Sequence, residues 1–82
     1  MARPLESDEN TAGLHRIVLE AQGEGVYVFV YETADSAFPE RDYLVETMDD
    51  AVSMCAEDYG VPAISWRLSA AAPLMGATRS RQ

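Results

Sequence analysis

The chain has no lysine, a single histidine and a single cysteine, and each shortage removes a class of function. A lone Cys55 cannot close an internal disulfide or build a cysteine-based metal site. His15 and Cys55 fall on different predicted elements, and a nucleophilic pair would also need a third group to orient the base. Cys55 is expected to be an inert buried thiol, and His15 a surface or edge residue. Gly23 and Gly25 serve a turn rather than opening a helix, so there is no phosphate-cradling loop. Asp42 and Glu46 share a strand face but stand roughly 13 Å apart by the rise of a strand. That is wider than the span of paired catalytic carboxylates. The acids of the 32–42 segment lack the alternating ligands and glycine of a calcium loop. The sequence therefore predicts no catalytic residue, no metal ligand and no cofactor.

Long apolar runs are also missing. The longest, VYVFVY from Val26 to Tyr31, falls far short of the roughly 20 residues of a membrane span. No apolar run follows Arg3, so neither a secretory signal nor a membrane role is expected, and the cytoplasm is the expected compartment.

What is present is negative charge. Six arginines face fourteen acids, a net charge of −8. In the segments 1–13 and 69–82 three arginines balance Glu6, Asp8 and Glu9, so the whole net charge belongs to residues 14–68. Such a field repels phosphate backbones, which argues against nucleic acid, and it favours a basic protein partner. Solubility alone is the other reading of an acidic surface.

Residues 1–13 and 69–82 contain little large apolar surface, too little to offset the entropy of ordering a chain. They are expected to be a disordered N-terminal tail and a flexible C-terminal tail around a single domain, 14–68. Within it, Leu14–Ala21 is partly alternating and β-branched, Gln22–Gly25 reads as a turn, and Val26–Tyr31 is the strongest strand signal. A tight hairpin with Ala21 opposite Val26 places Leu19 against Val28 and Ile17 against Val30 on the core face. The other face then carries Arg16, Val18 and Glu20 against Tyr31, Phe29 and Tyr27, and a one-residue slip would reverse both.

Glu32–Arg41 reads as a connection, and Asp42–Glu46 as a third strand with Tyr43 and Val45 inward. Thr47 supplies an N-cap to a helix from Met48 to Tyr59, with Asp49 and Asp50 in its first turn. Met48, Ala51, Val52, Cys55, Ala56 and Tyr59 form its apolar stripe. Gly60 suits a left-handed cap, Val61 can fold back on the last turn, and Pro62 ends the helix. One helix from Pro39 to Tyr59 is the competing reading, disfavoured by Thr47 and two aspartates in its middle. Ala63–Leu68 alternates as a last strand, with Ile64, Trp66 and Leu68 inward. The predicted fold is α+β: a small antiparallel sheet of three to four strands with one helix packed on one face, in the order β-β-β-α-β.

One helix covers one face of such a sheet and leaves the other open. Val18, Tyr27, Phe29 and Tyr31, with Leu44 beside them, would then form an apolar patch suited to a partner or a second copy. The patch disappears if the register slips, or if Pro73, Leu74 and Met75 fold over it. A second candidate surface is the outer face of the helix, Asp50, Glu57 and Asp58 with an exposed Met54, which suits a basic protein or is simply a solvated face. Phe38 is expected to cap the end of the core, with a role as an exposed recognition tip as the alternative.

The stretch DYLVETMDDAVSMCAEDYGVPAISWRL resembles small acidic bacterial domains in which a strand leads through Thr or Ser into an acid-rich helix. In those domains the helix closes on an aromatic-Gly-Val step before a strand bearing Trp, and some are similar to toxin-neutralising immunity proteins. The resemblance covers about a third of the chain and carries no individual site residue with it. It implies a bacterial accessory or binding protein. The functional expectation is a non-enzymatic protein-interaction module that binds a basic protein or forms a homodimer. A self-associating structural protein and a small-molecule-binding protein or enzyme are the alternatives.

Overall fold

The computed structural model describes residues 3–69. Within them run β1 (Leu5–Ser7), β2 (Arg16–Gln22), β3 (Gly25–Tyr31), β4 (Arg41–Val45), the helix α1 (Met48–Tyr59), a 3₁₀ turn (Ala63–Ser65) and β5 (Arg67–Leu68). The strands form one five-stranded antiparallel sheet in the order β4-β3-β2-β1-β5, and α1 packs on one face of it. This is the small α+β fold expected, with more strands than the three to four predicted.

The central hairpin has the predicted register. Ala21 lies opposite Val26, Leu19 opposite Val28 and Ile17 opposite Val30. Ile17, Leu19, Val26, Val28 and Val30 are buried with Ala51, Cys55, Tyr59 and Val61 in the core beneath α1. Ala21, assigned to the same face, is exposed at the hairpin end. Gly25 is required at its position. It has φ +145°, and a Cβ there would stand 2.4 Å from the Val45 carbonyl oxygen. The missing side chain is what lets the start of β3 approach β4 so closely.

The boundary between β4 and α1 falls at Thr47, as expected, and excludes a single helix from Pro39. Thr47 is extended (φ −133°, ψ 164°) and its Oγ1 accepts the Asp50 N–H at 3.1 Å, a cap worth about 1 kcal/mol. At the other end Gly60 has φ +68°, its N–H donates to Ala56 O, and the Val61 N–H donates to Cys55 O. That bond turns Val61 back into the core.

Several expectations are corrected. First, the segment read as a disordered N-terminal tail contributes β1, which lies inside the sheet between β2 and β5. Only Leu5 packs against the core; the strand is held chiefly by pairing on both edges, which side-chain pattern does not report. Ser7, 1% exposed, shares a hydrogen bond with Ser65 Oγ. Second, Ala63–Leu68 is not a continuous strand. Pro62, with its fixed φ of −65°, opens a 3₁₀ turn closed by the Ser65 N–H and Oγ–H on Pro62 O. Trp66 still packs against the core, but Ile64 (97% exposed) and Leu68 point outward. Third, Met54 is half-buried against the core while Ala56 is exposed, so the helix stripe is rotated towards Met54. Tyr43 and Phe38 are also more exposed than expected, and Phe38 does not cap the core. Of the segment expected as a flexible C-terminal tail, Ser69 is buried; residues 70–82 lie outside the described residues.

Candidate functional site

Two surfaces were expected to meet partners, and the fold treats them differently. On the sheet face away from α1, the register places Arg16, Val18 and Glu20 beside Tyr31, Phe29 and Tyr27. Tyr27 and Phe29 stack, with ring centroids 5.8 Å apart and planes within 4°. The Arg16 guanidinium sits 4.2 Å above the Tyr31 ring and reaches Glu6 at 3.5 Å. The expectation that this face is open fails. Val18, Phe29 and Tyr31 are buried, Tyr27 is half-buried, and only Leu44 at the sheet edge is about half exposed. Any partner would compete with whatever encloses these side chains.

The outer face of α1 is different. Asp49 and Asp50 in the first turn, then Ser53, Glu57 and Asp58, are all exposed. Asp49 and Asp50 lie where the helix dipole favours anions, but Glu57 and Asp58 lie in the last turn, where it disfavours them. That turn holds no basic residue. The described arginines are engaged elsewhere. Arg16 and Arg67 pair with Glu6, Arg67 also with Asp8, and Arg41 with Glu32. Among the described residues, none of Asp49, Asp50, Glu57 and Asp58 takes part in an ion pair. Met54, expected here, is directed partly into the core instead. Ile64 is an exposed apolar side chain on the 3₁₀ turn that packs against α1. Reading 63–68 as an alternating strand hid Ile64; the signal that could have revealed it was Pro62, which favours a turn over pairing.

The titratable groups beneath this surface are quiet. Burial, reinforced by Asp58, pushes the Cys55 thiol from 9.0 up to about 11, so it stays protonated and unreactive. The Tyr59 hydroxyl donates to the Tyr43 oxygen at 3.2 Å. Burial and that bond push Tyr59 up to about 12, while the accepted bond and the nearby Arg41 hold Tyr43 below its ordinary value. In the 32–40 loop the Ser36 hydroxyl and the Glu32 N–H hold the Glu40 carboxyl below the usual range. An open depression of about 440 Å³ at the hairpin end is lined by Gln22, Glu24, Glu46, Thr47 and Met48 among others. Among the described residues no group of three or more His, Cys, Asp or Glu side chains is placed to hold a metal ion. No helix among them is long and apolar enough to cross a membrane.

No protein-family model, curated protein or solved structure matches the chain. A functional reading therefore rests on its own surfaces.

Proposed function

We propose that this is a non-enzymatic, cytoplasmic protein-interaction module that docks a basic protein surface on the outer face of α1. Asp50, Glu57 and Asp58 would supply the charge, and Ile64 the apolar anchor. The observation that carries the reading is the pair Glu57–Asp58 at the negative end of the helix dipole, exposed and without a cationic partner among the described residues. Acids in that position weaken a helix by about 0.3–1 kcal/mol each. An approaching arginine or lysine cluster relieves that repulsion, and electrostatic complementarity then speeds and orients association. A bacterial immunity-type role, in which an acidic domain masks a basic toxin, belongs to the same reading.

The test uses the triple variant Asp50→Lys/Glu57→Lys/Asp58→Lys as bait in a pull-down beside the wild type. Each captured protein is then purified and titrated at two salt concentrations. The variant should lose the basic partner, and wild-type binding should weaken as salt rises. Because two of the new lysines sit at the favourable end of the dipole, the variant should be at least as thermally stable as the wild type. A variant that keeps every partner removes the acidic face from consideration.

A second reading is self-association, favoured by β4. It lies at one end of the sheet, its outer edge has no strand partner among the described residues, and Leu44 there is 51% exposed. Sedimentation decides it: a monomer at all accessible concentrations ends this reading.

A further inference from the structure

The outer edge of β4 carries a row of side chains that the helix-face reading does not use. Asp42 and Leu44 lie on one side of the strand, opposite Phe29 and Tyr27 of β3, and Glu46 stands next in the alternation, at the bend that ends β4. All three are exposed, Leu44 at 51%. Neither acid takes part in an ion pair among the described residues, whereas Arg41, the cation of the same strand, is held by Glu32 at 2.9 Å. The inner edge of β4 pairs with β3 over Val26–Val30. The outer edge has no strand partner among the described residues, and such an edge offers main-chain donors and acceptors to an extended chain.

We propose that this edge accepts an extended basic peptide as a further strand, read on the Leu44 side as a basic residue, an apolar residue and a basic residue at alternate positions. Strand addition to a sheet edge draws affinity from main-chain pairing and specificity from alternate side chains. A partner strand in register sets its apolar residue opposite Leu44. Its two basic residues then fall opposite Asp42 and Glu46, each about 7 Å from Leu44 along the strand. Opposite charges facing each other across adjacent strands attract, and like charges there repel.

The same row separates this occupant from a second copy, the rival reading of the edge. Two copies meeting edge to edge about a twofold axis through the sheet pair antiparallel, each residue opposite one on the same face. Centred on Leu44, that pairing sets Asp42 against Glu46; centred on Asp42, it sets Asp42 against Asp42. Centred on Tyr43, it sets Glu40 against Glu46 at both ends. Every one of these registers opposes carboxylates, so the charge of the edge calls for a basic chain. The inference stands apart from the helix-face reading, because it needs an extended partner and main-chain pairing.

The test is an NMR titration of the isotope-labelled full chain with the capped peptide Thr-Lys-Thr-Val-Thr-Lys-Thr. Amide shifts centred on residues 41–46 are expected, with cross-peaks between the peptide and the β4 main chain. The same peptide N-methylated throughout keeps its charge but loses its main-chain donors, and should bind at least about tenfold more weakly. Asp42→Lys/Glu46→Lys should also weaken binding about tenfold, and should instead take the peptide with glutamates in place of the lysines. That exchange of preference is a result an unfolded variant cannot give. Equal binding of the N-methylated peptide, or shifts centred on α1, would show that charge alone is read and would overturn the proposal. So would an absence of shifts at 41–46, a double variant that keeps the original preference, or cross-peaks in the free protein joining the β4 edge to residues 70–82 or to a second copy. Asp50, Glu57 and Asp58 are unchanged throughout, so these outcomes leave the helix-face reading to its own pull-down.

Discussion

The junction between α1 and the 8–15 loop offers the sharpest physical test of the fold. Gly60 has φ +68°, and a Cβ built on it would lie 2.0 Å from Thr11 Oγ1 and 3.0 Å from Thr11 Cβ. Gly60→Ala therefore has two separable effects. The left-handed backbone costs about 1–2 kcal/mol for a residue with a Cβ, and the overlap with Thr11 about 1–3 kcal/mol more. The sum, roughly 2–5 kcal/mol, is a large share of the ~4–12 kcal/mol expected for a chain of this length. Thr11 is exposed, so Thr11→Ala alone should cost no more than about 0.5 kcal/mol. In the double variant Oγ1 and Cγ2 are gone while Cβ remains, so most of the overlap is relieved and the backbone strain stays. Urea unfolding followed by the fluorescence of Trp66, the sole tryptophan, gives the cycle. A coupling of about 1–3 kcal/mol in favour of the double variant is expected. Effects that add to within ~0.5 kcal/mol would refute the close approach of loop and helix end.

Two further predictions concern β1 and the buried thiol. Deleting residues 1–8 removes a strand paired on both edges and the Ser7–Ser65 bond, and should lower the unfolding free energy by at least ~3 kcal/mol; a loss below ~1 kcal/mol would return the segment to the status of a tail. Cys55 is raised from 9.0 to about 11 in the fold, so the unfolded chain releases that proton first and stability falls as pH climbs through this window. The loss should be about 1 kcal/mol by pH 10 and on the order of 2–3 by pH 11, read by denaturant melts, with Cys55→Ala removing the slope between pH 9 and 10. A thiol reagent that labels native Cys55 freely at pH 8 would contradict its burial.

The sequence alone determined whatever depends on local periodicity and capping. The alternation of Ile17–Ala21 against Val26–Tyr31, joined through Gly23 and Gly25, set the hairpin register, because a pleated strand offers only two faces and a slip would take the aliphatic set away from the core beneath α1. Thr47 and Gly60 set both ends of α1, because the groups that satisfy the end N–H and C=O positions are local. Tertiary structure decided the rest. Leu5–Ser7 became a strand because two neighbouring edges needed a partner, and Ile64 turned outward because Pro62 opened a turn before pairing could begin. The burial of Val18, Phe29 and Tyr31 on the far face was not legible from their own strands. Alternation fixes the side on which a residue lies, but its exposure depends on what packs against that side, which a two-residue period does not encode.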